Sequence, residues 1–340
     1  MDGGAGEAGE AATVSPSPCT SSRQLRALIA TAGPPALAWR FVAERDRMLR
    51  STVVLSSAVL VALVGTPPVA AHRASAPGDV YVALGDSAAA GPLIPKQSLT
   101  QPGCLRSNRN YPALTAAALG VATFRDVSCS GATTADMYDG QVTPTGRVRP
   151  QLEAVTEDTT LVTLQIGGND LKLTGLILKC LSLVPIVADP CADDEPEGGP
   201  NGWRARIDTL APKLDRLIRR VAEQAPRARI FVVGYATYLP QGGCYPRVPV
   251  LGEDATWVQG LISRVNRVLA DQAAASGASY IDLETPSAGH DVCAARGVRW
   301  MEGYVPTAPA MPFHPNAAGM RAFADVVTAA IGDGDVRDSL

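Results

Sequence analysis

VYVALGDS, residues 80–87, decides the fold. Val80 to Leu84 is an unbroken apolar run, too short for a helix and halted by Gly85. Such a run reads as a strand buried on both faces, which occurs in a parallel sheet covered by helices on either side. Gly85 lets the chain turn sharply out of that strand. Ser87 then stands just past the carboxyl end of a buried strand, where ligands bind in open α/β sheets.

Working outward, the same pattern recurs. Residues 111–119 have a helical pattern, and 121–127 form a second strand candidate. LVTLQI at 161–166 is a third, stopped by Gly167 and Gly168. Residues 203–224 read as one helix, with apolar residues at 207, 210, 214, 217, 218 and 221. RIFVVG at 229–234 is a fourth strand, and 279–283 a fifth. Between them, Trp257, Val258, Leu261, Ile262, Val265, Val268 and Leu269 share one face of a helix over 255–275. Residues 316–331 close the chain as a helix. Strands alternating with helices predict βαβ units and a parallel sheet. No linker-like break interrupts residues 72–340, which are expected to form one domain. The segments after the first three strands should meet at one sheet edge.

The N-terminal residues have a different character. STVVLSSAVLVALVG at 51–65 follows Met48, Leu49 and Arg50 and precedes a small-residue site ending at Ala71. That is the layout of a signal peptide over 48–71, cleaved after Ala71, and it implies secretion. The run falls short of the about 20 apolar residues of a membrane span, although an uncleaved anchor is the alternative. Met48 is the expected start; residues 1–47, if translated, are expected to be disordered.

Cys19 lies in that leader, and six of the seven cysteines follow the signal: Cys104, Cys129, Cys180, Cys191, Cys244 and Cys293. An even number in an exported chain points to disulfides, with many connectivities open. No CxxC pair occurs and the three histidines lack zinc-type spacing, so no metal site and no cofactor are expected. The acidic stretch at 189–197 reads as a solvated loop. A net charge of −3 with no basic cluster argues against a nucleic-acid partner.

Four short segments carry chemistry. Ser87 in LGDSA is a nucleophile candidate that needs a base to remove its proton. Taken alone, GDS arises by chance in roughly one chain in ten of this length at ordinary composition. GGND at 167–170 is far rarer, and Asn169 offers an amide that could donate to a developing oxyanion. Gly131, in CSGA, can present its backbone N–H to an anion. His314, in PFHPN, has the pKa range of a general base near neutrality and precedes the last helix.

In this order, GDS, Gly, GGND and HPN, the chain resembles the SGNH (GDSL) hydrolase superfamily over residues 79–332. The resemblance implies a three-layer α/β/α sandwich with a five-stranded parallel sheet, of flavodoxin-like type. It implies a carboxylic ester hydrolase in which Ser87 attacks and His314 is the base. The Ser87 N–H, the Gly131 N–H and the Asn169 side chain would form the oxyanion hole. No GxSxG pentapeptide frames Ser87, unlike the α/β-hydrolases. The chain looks most similar to secreted actinobacterial lipases and esterases, which implies the pairs Cys104–Cys129, Cys180–Cys191 and Cys244–Cys293. One position departs from the pattern: where many members carry an aspartate three residues before the histidine, this chain has Met311. A main-chain carbonyl at Met311 is the expected partner of the imidazole, giving a Ser–His dyad. Glu302 and Asp291 are the rival carboxylates.

LKLTGLILKCLSLVPIV at 171–187 directly follows Asn169 and Asp170. It reads either as a wall of an acyl-chain pocket or as a buried helix with a pinned loop. The first favours acyl lipids as substrates of a monomer that touches lipid surfaces only transiently. A carbohydrate or cell-wall O-acetyl esterase is the alternative, and an exported non-catalytic binding protein is the alternative from another class.

Overall fold

The computed structural model describes residues 79–183, 190–192 and 202–337. The expected leader (1–47) and expected signal peptide (48–71), with most of the acidic stretch, lie outside the described residues. In chain order the strands are β1 (Val80–Gly85), β2 (Thr123–Asp126), β3 (Gln141–Thr143), β4 (Gly146–Val148), β5 (Leu161–Gln165), β6 (Arg229–Val233) and β7 (Ser279–Ile281). The helices are α1 (Ser87–Ala90), α2 (Tyr111–Leu119), α3 (Asp136–Asp139), α4 (Leu173–Lys179), α5 (Trp203–Asp208), α6 (Ala211–Gln224), α7 (Gly252–Ala275), α8 (Glu284–Ser287) and α9 (Ala317–Arg337).

Five strands form one parallel sheet in the order β2-β1-β5-β6-β7. Every residue of β1 and β5 is buried, as expected of central strands covered on both faces. Helices α2 and α9 pack together on one face, and α6 and α7 pack together on the other, completing the α/β/α sandwich. The chain leaves β1 toward β2 on one side, while β5 adds on the other. That reversal is a topological switch point, and it opens a crevice beyond the carboxyl ends of β1 and β5.

Local chemistry accounts for the element ends. The Asn110 side chain accepts the Ala113 N–H at 3.0 Å to start α2, and Gly120, left-handed at φ 66°, ends it. The single helix expected over 203–224 is two, α5 and α6. Pro212 lies in the first turn of α6; it has no N–H to continue the α5 ladder, so the helix restarts there. The small antiparallel hairpin β3–β4 was not foreseen; its three-residue strands are too short for a period to emerge.

The turn leaving β1 is clamped from several sides. The Gly85 N–H donates to Gln151 Oε1 at 2.8 Å, and Gln151 Nε2 returns a bond to the Gly85 carbonyl at 2.9 Å. The Cys129 N–H reaches that same carbonyl at 3.0 Å, and the Asp86 N–H reaches the Gln165 carbonyl at 3.0 Å. The disulfides Cys104–Cys129, Cys180–Cys191 and Cys244–Cys293 are all present. The first anchors the segment leading to Gly131, and the second ties down the end of α4.

A Cβ on Gly85 would lie 2.7 Å from Ala89 Cβ and 2.9 Å from the Gln165 carbonyl oxygen, neither of which can swing away. Gly85→Ala is therefore expected to cost about 1–3 kcal/mol of stability, the usual range for overpacking. Equilibrium urea unfolding measures this, and an unchanged midpoint would contradict the packing described.

Candidate active site

Ser87 is the first residue of α1, and Asp86 caps that helix by accepting the Ala88 N–H at 2.8 Å. Because Ser87 is at the first helical position, its own N–H has no carbonyl one turn earlier to bind. Its Oγ lies 2.8 Å from His314 Nε2, a contact joining residues 227 apart in the chain. On the other side of the ring, His314 Nδ1 lies 2.8 Å from the Pro312 carbonyl oxygen. A carbonyl can only accept, so Nδ1 carries the proton and Nε2 is left to receive the serine proton. Burial holds the His314 pKa below its ordinary value, against the opposing effect of the Pro312 bond. The imidazole is thus neutral, and able to act as a base, at neutral pH.

The partner of the ring is Pro312, not Met311 as the sequence led us to expect. The Met311 carbonyl is already occupied: it accepts the His314 N–H at 3.2 Å, closing a turn over 311–314. Pro312 in the second position and Phe313 at φ 56° in the third are features of a type II turn. This geometry leaves the Pro312 carbonyl facing the imidazole. Phe313 adopts a left-handed backbone that costs a non-glycine residue about 1–3 kcal/mol. Its buried ring and its N–H bond to the Glu302 carbonyl at 3.1 Å hold it there.

Neither rival carboxylate reaches the ring. Glu302 is fully buried, and its Oε2 accepts from the Thr307 N–H at 2.6 Å and the Thr307 hydroxyl at 3.1 Å. Its Oε1 accepts from Asn316 Nδ2 at 2.7 Å. Asp291 caps the Cys293 N–H at 2.8 Å. Glu302 nevertheless braces the histidine segment, because its N–H donates to the His314 carbonyl at 3.0 Å. Asn316 completes the brace: its Oδ1 caps α9 through the N–H groups of Ala318 and Gly319 at 2.9 and 3.0 Å.

Asn169 enters from the turn after β5. One amide hydrogen is directed to the Ala132 carbonyl at 2.9 Å, which fixes the plane of the amide. The second has no partner among the described residues, and Asn169 lines the same cavity as Ser87. Asp170 ties this turn to the one after β2, accepting from the Thr134 N–H and hydroxyl at 2.9 and 2.6 Å, with Lys213 Nζ at 3.2 Å. Gly131 has φ 85°, a conformation suited to glycine, and its N–H binds no carbonyl or side chain among the described residues. It sits at an exposed turn and does not line the cavity, although its neighbour Ala132 holds Asn169.

The cavity joins both characters. Asp86, Ser87, Asn169 and His314 line its polar end, and Leu173, Ile177 and Ile262 its apolar side. Tyr235 and Tyr238 line it as well, and the sequence reading missed both. Tyr235 directly follows Gly234 beyond β6, so the rule that strand ends form the site would have pointed to it. Its hydroxyl donates to Asp86 Oδ2 at 2.6 Å. Burial pushes the Asp86 carboxyl up to about 7, while the bonds from Tyr235 and the Ala88 N–H hold it from rising further. Burial and the neighbouring Asp86 charge raise Tyr235 well above the usual tyrosine range, so the hydroxyl keeps its proton and donates.

The chain is similar in sequence and fold to known proteins. The model of the GDSL-like Lipase/Acylhydrolase family matches residues 83–322. Lipase 2 of Streptomyces coelicolor is 32% identical over 290 residues, covering 82% of this chain and 95% of that protein. A lipase of Streptomyces rimosus is 30% identical, covering 77% of this chain and 93% of that protein. Among solved structures, the extracellular lipase of S. rimosus superposes with a TM-score of 0.61 at 27% identity, over 74% of this chain and 99% of that one. The phospholipase A1 of Streptomyces albidoflavus NA297 gives a TM-score of 0.60 at 28% identity, over the same 74% of this chain and 99% of that one.

Replacing Ser87 or His314 by alanine should lower kcat for p-nitrophenyl butyrate by at least about 10³-fold, as when a serine nucleophile loses its base. Glu302→Gln and Asp291→Asn should each hold kcat within about tenfold. Neutralising a carboxylate that orients the base costs about 10⁴-fold. A loss of that size in either carboxylate variant would contradict the assignment of Pro312.

Proposed function

Since this chain belongs to the GDSL-like lipase/acylhydrolase family and is a carboxylic ester hydrolase, we propose that it is a secreted enzyme that cleaves acyl lipids through a Ser87–His314 dyad. The observation that carries the mechanism is the 2.8 Å contact between Ser87 Oγ and a buried His314 whose far nitrogen meets a carbonyl and, among the described residues, no carboxylate. Ser87 Oγ attacks the ester carbonyl carbon as its proton passes to His314 Nε2. The carbonyl electrons move onto oxygen, and the Ser87 N–H and the second Asn169 amide hydrogen stabilise that oxyanion. Each such donor is worth about 3–4 kcal/mol in the transition state. Collapse expels the alcohol, which takes the proton from His314 and leaves an acyl-Ser87 ester. Water then attacks that ester with His314 again as base, and the acid departs as Ser87 regains its proton.

The acyl-lipid reading rests on the wall of the cavity. Leu173, Thr174 and Ile177 of α4 form one side, and Ile262 of α7 adds another apolar surface. On this reading they receive a hydrocarbon chain extending from Ser87. Outside the cavity, Leu178 and Leu183 are exposed at 44% and 75%, a surface compatible with transient contact with lipid. Secretion is supported by the signal-like run at 51–65 and by the three disulfides, which persist in oxidising compartments. The solved relatives include an extracellular lipase and a phospholipase A1.

A series of p-nitrophenyl esters tests the substrate class. The wild-type enzyme should turn over octanoate with kcat/KM at least equal to that for acetate. Ile177→Trp should lower the octanoate value by about tenfold or more while leaving acetate within about threefold, since each methylene accommodated is worth about 1–3 kcal/mol. Collapse of wild-type turnover beyond acetate would favour the O-acetyl esterase reading instead.

A further inference from the structure

Two turns supply the oxyanion donors, and one side chain from a third strand end joins them. The Gly168 N–H donates to the Tyr235 hydroxyl at 2.8 Å, and that hydroxyl donates to Asp86 Oδ2 at 2.6 Å. Asp86 Oδ1 accepts the Ala88 N–H at 2.8 Å. The result is an unbroken chain of hydrogen bonds from the residue before Asn169 to the residue after Ser87. Capping α1 occupies only one carboxylate oxygen, so the bond to Tyr235 is additional to it.

Tyr235 is itself rigidly placed. Its N–H donates to Asn266 Oδ1 at 2.8 Å, and Asn266 Nδ2 returns a bond to the Tyr235 carbonyl at 2.8 Å. Asn266, buried in α7, is held in turn by Glu284 Oε2 at 2.9 Å. The absence of a side chain at Gly168 matters here, because a Cβ there would lie 3.1 Å from the Tyr235 hydroxyl oxygen. Strands β1 and β5 are already paired along their length. What the hydroxyl adds is a fixed spacing between the turns that leave them.

We propose that Tyr235 is a positioning residue for the transition state, its hydroxyl setting the Asn169 amide and the Ser87 N–H at the separation needed to meet one oxyanion. The proposal rests on the roles given above to Ser87 and Asn169. A displacement of about 1 Å in such groups costs about 10²-fold in rate, so the loss of one buried hydroxyl should register in turnover. It should register little in ground-state binding, because the oxyanion exists only during reaction.

Tyr235→Phe retains the ring and removes only the hydroxyl. With p-nitrophenyl butyrate, kcat should fall about 10–100-fold while KM stays within about twofold. Binding of butylboronic acid, a tetrahedral mimic that Ser87 can capture, should weaken in parallel. In the Asn169→Ala background the same substitution should change kcat by less than about threefold, because groups acting as one unit are not additive. A purely structural role would lower the Tm while leaving kcat and boronate affinity intact in the folded enzyme. That result, or additive losses in the double variant, would overturn the proposal. Should Tyr235→Phe fail to fold, Asp86→Asn tests the other end of the same chain, with the same fall in kcat expected; wild-type kcat in a folded Asp86→Asn enzyme would overturn it. Loss of turnover in Ser87→Ala and Asn169→Ala with none in Tyr235→Phe sinks this inference alone, whereas retained turnover in Ser87→Ala removes the reading beneath it as well.

Discussion

The pairing of β1 with β5 is the constraint on which the site depends. Gly85 stands opposite Gln165 in a parallel register, so both strands end at the same level and their turns emerge side by side. One turn carries Ser87 and the other Asn169, residues far apart in sequence that the sheet makes neighbours. The bond from the Asp86 N–H to the Gln165 carbonyl extends the pairing into the first turn residue. Because β1 and β5 are buried along their whole length, a slip in register would move both the core and the site. The geometry is therefore protected by the same burial that stabilises the fold.

His314 arrives by another route, from the segment before α9, and its placement is almost wholly a matter of backbone. The Pro312 carbonyl fixes the tautomer, the exchange of bonds with Glu302 holds the segment, and Asn316 both caps α9 and binds Glu302. A carbonyl supplies direction but less charge than a carboxylate, so it stabilises the imidazolium less when the serine proton arrives. In this arrangement the buried carboxyl groups serve elsewhere. Glu302 braces the histidine segment, and Asp86, tied to Tyr235, braces the nucleophile turn. In the proposed mechanism, transition-state stabilisation then falls more heavily on the oxyanion donors, which makes their spacing matter.

Much of this was legible in the sequence because it is carried by pattern. VYVALG and LVTLQI read as buried strands, and the ordered short segments point to Ser87, Asn169 and His314, which the fold brings to one cavity. The features that were not legible depend on single torsions or single contacts. Whether the Met311 or the Pro312 carbonyl faces the imidazole is set by the left-handed φ of Phe313, which a phenylalanine does not announce. The break between α5 and α6 was written in Pro212, but the apolar spacing across 203–224 concealed it. Tyr235 belongs to no motif, and its importance appears only when Gly168 and Asp86 are seen on either side of its hydroxyl.

The central claim is that Ser87 forms a covalent acyl intermediate with His314 as its base. Rapid-quench mass spectrometry of the wild-type enzyme mixed with excess p-nitrophenyl butyrate tests this most directly. The account predicts a butyryl mass increment on the peptide carrying Ser87, rising with the first turnover's release of nitrophenol and absent when His314 is replaced by alanine. Turnover accompanied by single-turnover incorporation of ¹⁸O from labelled water into the acid, with no adduct and no burst at any quench time, would mean that water attacks the ester directly and would contradict it.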